Sequence, residues 1–305
     1  MTHKCDIATA YAGLGGANAS VRIGDDTAAI PDGDGYLLFA IEGLLEAFVR
    51  DEPWFAGYSA VMVNLSDIAA MGGRPIAVVD ALWSASPKRA IPMWDGMRAA
   101  SEAYGVPIVG GHTNVRSEGD RLAVAVLGRA ERLMTSFDAR PGDELLYAVD
   151  LRGAYFGPYP FWDCSTSASA EGVRSGLALL PALAQSGDCI AAKDVSNAGL
   201  LGTLLMLLEC SSVGATVALE RVPQPPGIAL ERWLSSFPSF GYILAVEPEA
   251  SARVRRHFQL SGIACETIGS CDAGTRLTVT YADEREIFWD FITSPFTGAT
   301  ASVAR

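Results

Sequence analysis

Only 3 of the 305 residues are histidine and only 6 are cysteine. His3, His112 and His257 are too few for a multi-histidine metal centre. Cys5, Cys164, Cys189, Cys210, Cys265 and Cys271 form no Cys-x-x-Cys pair. That spacing excludes a zinc knuckle and speaks against a disulfide framework, so reduced thiols and a cytoplasmic setting are expected. Basic side chains are also scarce. The chain has 23 Lys and Arg against 35 Asp and Glu, a net charge of −12, with a pI near 4.7. Such a surface repels phosphate backbones and anionic lipid, so neither a nucleic-acid nor a membrane partner is expected. A nucleotide remains compatible with it where divalent cations stand between like charges. Long apolar runs are missing. The longest, Ala198 to Leu208, falls well short of the roughly 20 residues that a bilayer span needs. The opening MTHKCDIATAYAGLGG has no cationic stretch followed by an apolar one, so no secretory leader is expected. The Gly-x4-Gly-Lys-Ser/Thr phosphate loop and the Gly-x-Ser-x-Gly elbow are absent. Gly13-Leu14-Gly15-Gly16 lacks the third glycine of a dinucleotide fingerprint, since position 18 is Asn, and reads as a flexible loop.

Apolar residues make up 50% of the chain and charged residues 19%. A sizeable core follows, and wholesale disorder is excluded. Hydrophobic periodicity alternates strand-like and helix-like segments. Strands are expected at Gly35 to Ala40, Ile76 to Leu82, Pro107 to Val109 and Arg121 to Arg129. Helices are expected at Tyr58 to Met71 and Pro92 to Tyr104. Gly110-Gly111-His112-Thr113 follows the third of these strands, and His112 there suits either a polar turn or a ligand contact. Arg140-Pro141-Gly142-Asp143 breaks the pattern, which places a domain boundary there: 1–140 and 141–305. In the second half, helices are expected at Ala168 to Gln185, Leu200 to Cys210 and Ala250 to Leu260. Strands are expected at Glu144 to Val149, Cys189 to Lys193 and Tyr242 to Val246, and two more close the chain. The fold class is α/β (α+β).

Carboxylates recur at strand ends and beside glycines. Gly24-Asp25-Asp26-Thr27 precedes an apolar segment, and Glu42 and Glu46 follow the strand GYLLFA. Asn64 and Asp67 are three apart on a helix and share a face. Asp194 ends a strand and runs into Val195-Ser196-Asn197-Ala198-Gly199. Such positions are where α/β proteins place ligand groups. Hard divalent cations such as Mg²⁺ take oxygen ligands, and phosphoryl transfer uses them to neutralise nucleotide charge. Taken singly, Asp25 and Asp26 also suit a turn, Asp67 a solvated helix face and Asp194 a helix cap. The aromatic-rich RGAYFGPYPFWD (Arg152 to Asp163) suits either an acceptor pocket or a self-buried loop.

Five segments, in order, resemble one signature. They are Gly24-Asp25-Asp26-Thr27-Ala28-Ala29; Ile41-Glu42-Gly43-Leu44-Leu45-Glu46; Val63-Asn64-Leu65-Ser66-Asp67-Ile68-Ala69-Ala70-Met71-Gly72-Gly73-Arg74-Pro75; Gly110-Gly111-His112-Thr113; and Lys193-Asp194-Val195-Ser196-Asn197-Ala198-Gly199-Leu200. The pattern resembles that of the aminoimidazole-ribonucleotide-synthetase-like ATP-binding superfamily. This superfamily includes thiamine-monophosphate kinase, selenophosphate synthetase and a hydrogenase maturation factor. The resemblance implies two α/β domains, with an N-terminal mixed sheet that pairs in a homodimer. It implies ATP near that interface and Mg²⁺ held by Asp25, Asp26, Glu42, Asp67 and Asp194. Asn64, Gly110, Gly111, His112 and Thr113 would contact the nucleotide. The implied activity is ATP- and Mg²⁺-dependent phosphoryl transfer to, or activation of, a small-molecule acceptor. The alternatives are a non-catalytic nucleotide-binding dimer and a selenophosphate-synthetase-like dikinase. Two departures stand out: Glu42 replaces an Asp, and His112 stands where the thiamine-monophosphate kinases carry an acid. The glycine loop GLGGANASVR lacks the reactive Cys and Lys of the selenium enzymes.

Overall fold

The structure is a computed structural model that describes residues 22–298. Lys4, Cys5, His3 and the Gly13-Leu14-Gly15-Gly16 stretch lie outside the described residues. Packing divides the chain into two interleaved units. The N-terminal unit holds Thr27–Arg132 and Ser165–Pro181; the C-terminal unit holds 22–26, Leu133–Cys164 and 182–298. The 1–140 and 141–305 partition is a single cut, whereas the chain passes between units after residues 26, 132, 164 and 181. No helix of the described residues is long and apolar enough to cross a membrane.

The N-terminal unit is a mixed five-stranded sheet covered by helices on one face. Its strands are β1 (Ala28–Asp32), β2 (Gly35–Gly43), β3 (Arg74–Trp83), β4 (Ile108–Asn114) and β5 (Arg121–Ala130), in the order β1-β2-β5-β3-β4. Only β3 and β4 are parallel, and α3 forms the crossover that parallel pairing needs. The helices are α1 (Glu46–Asp51), α2 (Pro53–Ala70), α3 (Pro87–Tyr104) and α4 (Ala170–Leu177). α2 is buried along nearly all of Phe55 to Ala70, as a helix apolar on every side must be. It touches α3 backbone to backbone. A Cβ on Gly57 would lie 2.2 Å from the Met93 carbonyl oxygen, and one on Gly96 would lie 1.9 Å from that of Trp54.

Several element boundaries differ from expectation. α3 begins at Pro87, not at Pro92. The Ser86 hydroxyl accepts the Arg89 N–H at the cap, and Pro87 suits a first turn whose N–H groups have no helical partner. Gly110 to Thr113 lies within strand β4 and is not a turn, because it pairs in register with Val79 to Leu82. The stretch Ala168 to Gln185 forms two helices, α4 and α5 (Leu179–Ser186).

The C-terminal unit is a mixed seven-stranded sheet. Its strands are β6 (Glu144–Val149), β9 (Ala191–Asp194), β10 (Gly214–Ala218), β12 (Gly241–Val246), β13 (Ala264–Asp272), β14 (Arg276–Tyr281) and β15 (Glu284–Asp290), in the order β15-β14-β10-β13-β6-β12-β9. Among the described residues three strands, not two, follow the last long helix. The apolar run expected to be a core helix is α6 (Gly199–Ser211), buried with Leu145, Tyr147, Ile243, Ile268 and Phe296. A small sheet of β7 (Ala154–Tyr155), β8 (Phe161–Asp163) and β11 (Phe237–Pro238) contains the aromatic stretch. Its rings pack on one another: Tyr159 and Phe161 stack at 5.4 Å, and Trp162 meets Tyr155 and Trp233 edge-on at 5.3 Å each. The Arg232 guanidinium covers the Tyr155 ring at 3.7 Å.

Candidate metal and nucleotide site

In the C-terminal unit, β9 is the sheet's edge strand, with Lys193 opposite Ile243 and Asp194 opposite Tyr242 of β12. Both residues are buried. The helix after Asp194 starts at Gly199 with Ala198 at its cap position, so Asp194 is not a helix cap. It ends a strand and is kept there by the strand pairing. Asp25 and Asp26 come from the segment preceding β1. The Asp25 carboxylate accepts the Ser136 N–H at 3.0 Å, the Ser136 hydroxyl at 2.6 Å and the Asp26 N–H at 3.0 Å. Ser136 is in turn held by Ser211, whose hydroxyl donates to the Ser136 carbonyl at 2.8 Å. The Asp26 carboxylate is ion-paired with the Lys193 ammonium and takes a long hydrogen bond from the Asp194 N–H at 3.5 Å. Carboxylate oxygens of Asp26 and Asp194 lie within 4.8 Å of each other.

This crowding sets the electrostatics. Burial, and next the charge of Asp26, push the Asp25 carboxyl up to about 6, although Lys193 and the Ser136 hydrogen bonds pull it down. Burial works against the charge of Lys193, but Asp26, then Asp25 and Asp194, outweigh it and hold the ammonium above its usual pKa. Asp26 pairs with the ammonium directly, and the charges of Asp25 and Asp194 add to its field. Lys193 carried no signal in the sequence beyond its place before Asp194. Its relevance depends on the fold bringing Asp26, 167 positions away, against it.

The N-terminal unit holds the remaining candidates. Asn64 and Asp67 lie on α2 and are both buried, so Asp67 is not a solvated helix residue. The Asn64 amide donates to the Ala60 carbonyl at 2.7 Å, and its Oδ1 is buried with no hydrogen-bond partner among the described residues. Glu42 lies inside β2, opposite Val124, and is exposed. Glu46 opens α1 and pairs with Arg121. Gly110, Gly111, His112 and Thr113 are exposed on β4, the edge strand of this sheet. The His112 ring tilts against Trp83 at 6.4 Å.

Asp80 is a residue that sequence reasoning missed. It sits on β3 opposite Gly111, and a Cβ on Gly111 would lie 2.3 Å from its Oδ2. Glycine at 111 is therefore required by the approach of a carboxylate. Burial raises the pKa of Asp80, and its Oδ1 has no hydrogen-bond partner among the described residues. The only signal was a charge inside the apolar strand IAVVDAL.

Burial pushes the thiols of Cys164, Cys189, Cys210, Cys265 and Cys271 up to about 12. All five are free and stay protonated at neutral pH, where a thiol is a poor nucleophile.

Two family models match the sequence. AIR synthase related protein, N-terminal domain, matches residues 24–130, and AIR synthase related protein, C-terminal domain, matches residues 167–282. The uncharacterized protein sll0787 of Synechocystis sp. is 47% identical over 98% of this chain and 95% of its own length. Among solved structures, T. maritima PurL complexed with ATP has a TM-score of 0.76 at 19% identity, covering 92% of this chain and 47% of PurL. This chain therefore spans about half of PurL. AaThiL complexed with AMPPCP and TMP has a TM-score of 0.66 at 20% identity, covering 88% of this chain and 90% of AaThiL. At these identities the structural likeness establishes the fold.

Proposed function

This chain belongs to the AIR synthase related family, and we propose that it carries out ATP- and Mg²⁺-dependent phosphoryl transfer to, or activation of, a small-molecule acceptor. The observation that carries the reading is the closeness of the Asp26 and Asp194 carboxylates, within 4.8 Å of each other, with Asp25 hydrogen-bonded beside them. The donors are all hard oxygens and carry an excess of negative charge, which suits Mg²⁺ and not a soft metal. AaThiL and T. maritima PurL, which share the fold, were solved with AMPPCP and with ATP.

In this reading Asp26 and Asp194 supply oxygen ligands, and Asp25 supports them from its anchor on Ser136. Glu42 and Asp67 of the N-terminal unit are assigned the same oxygen-donor role. Bound Mg²⁺ supplies charge neutralisation on the phosphates. The chain itself binds and orients. An edge strand leaves backbone N–H and C=O groups of β4 unpaired on one side, and Gly110 and Gly111 leave that backbone uncovered for a nucleotide. Asn64 Oδ1 is a buried acceptor awaiting a donor. Positioning and electrostatics supply most of the catalysis in phosphoryl transfer, so no strong general base is required.

The reading includes a homodimer. Phe39 and Ile41 of β2, Val79 of β3 and Leu127 of β5 are 48%, 65%, 40% and 37% exposed. Phe39 pairs with Leu127, and Ala125 of β5 pairs with both Ile41 and Val79. They form an apolar sheet face of the kind that marks a protein interface, and a second copy of the same sheet matches its chemistry.

The decisive experiment is Asp67→Asn. It should abolish Mg²⁺-dependent ATP turnover while thermal unfolding stays near wild type; surviving turnover removes the metal role of Asp67. If the wild-type chain binds ATP by calorimetry yet yields no product in a phosphate-release screen, the non-catalytic nucleotide-binding reading replaces this one.

A further inference from the structure

Lys193 is a residue that the metal reading does not account for. Its ammonium is buried against Asp26, a carboxylate that the reading assigns to a divalent cation. The ion-paired side chains of Lys193 and Asp26 are only 7% and 5% exposed. β-Pairing with β12 fixes the Lys193 backbone, and Ser136 and Ser211 fix the segment that presents Asp25 and Asp26. Both partners are thus positioned before any ligand arrives. A buried ammonium without an anion is costly, and so are neighbouring buried carboxylates without a cation.

We propose that Lys193 is a resident counter-ion of the acidic site: its ammonium fills a cation position beside Asp26, so the site assembles without metal and takes up one divalent cation fewer than its carboxylates alone would hold. The inference rests on the reading above only in treating Asp26 and Asp194 as cation ligands. It makes Lys193 a positioning residue for the metal site. It also separates two duties that acidic sites often leave to metal ions, holding the carboxylates together and activating the phosphates. Lys193 performs the first, which leaves divalent cations for the second.

The test needs no nucleotide. Thermal unfolding of wild type, Lys193→Gln, Lys193→Arg and the double variant Asp26→Asn/Lys193→Gln is measured in EDTA and in millimolar Mg²⁺. Lys193→Gln should melt lower than wild type in EDTA by about 5 °C or more, and Mg²⁺ should restore most of that loss. Wild type and Lys193→Arg should respond to Mg²⁺ much less, and the double variant should lose the rescue along with the unpaired charge. Mn²⁺ titration followed by electron paramagnetic resonance should count one more ion per chain in Lys193→Gln than in wild type. Equal Mg²⁺ shifts in wild type and Lys193→Gln, or equal Mn²⁺ counts, overturn the proposal. If Lys193→Gln does not fold in either buffer, the double variant decides: folding in EDTA supports the counter-ion role, and failure to fold overturns it. ATP binding by the wild type is scored separately, so a failed phosphoryl-transfer reading leaves these outcomes distinguishable.

Discussion

Asp25 offers a direct test of the site's electrostatics. Its carboxyl is held at about 6, chiefly by burial and next by Asp26, against an ordinary value of 3.8. An acid whose pKa is raised by folding binds its proton more tightly in the folded state. Its contribution is therefore fully present below about pH 4 and is lost as pH climbs through about 6. That elevation corresponds to ~3 kcal/mol lost by neutral pH in metal-free protein. Asp25→Asn removes the titrating group and keeps an oxygen that can accept from Ser136. The assay is urea unfolding of wild type and Asp25→Asn in EDTA, from about pH 4 to about pH 7.5. Subtracting one stability from the other cancels the groups they share. Wild type should lose ~3 kcal/mol relative to the variant across that range. A difference that stays flat with pH in EDTA would refute the account of a crowded, desolvated carboxylate.

Two further outcomes test other parts of the molecule. Glu209 of α6 is 2% exposed and accepts the N–H groups of Phe296 and Thr297 at 2.6 Å each and that of Gly298 at 3.2 Å; Glu209→Ala should lower stability by about 2–4 kcal/mol in urea unfolding and speed proteolysis near Phe296, and unchanged cleavage there would show that this clamp is not what holds the segment. Ile41→Lys places a charge on the exposed sheet face and should shift sedimentation equilibrium from dimer to monomer without lowering the melting temperature, whereas a wild type that already sediments as a monomer removes the homodimer.

Much of the fold was legible because its signals are local. Strand β6 falls where alternation and the Arg140-Pro141-Gly142-Asp143 break put it, and α6 occupies the longest apolar run. The errors have local physical causes. Pro92 reads as a helix start, but Ser86 and Pro87 supply a better cap one and a half turns earlier. A polar turn at His112 is one of the two readings its glycine-rich setting allows, but pairing with β3 makes Gly110 to Thr113 strand. The interleaving of the two units was not legible at all, since nothing in the composition of Ser165–Pro181 marks it as belonging with Thr27–Arg132.

The candidate site divides in the same way. By itself the sequence determined the family, through five ordered motifs, and with it the residue types available: Asp25, Asp26, Asp67 and Asp194 as hard oxygen donors, and Asn64 with Gly110 to Thr113 beside them. Those are properties of spacing and side-chain chemistry. Only the tertiary structure decided which of them are desolvated and what stands next to them. It buried Asp67 and Asn64 and left Glu42 and His112 in solvent. It placed Asp80 against Gly111 and brought Lys193 to Asp26 across 167 positions. The reason is that charge interactions depend on distance and burial, and a linear chain states neither until its sheets have formed.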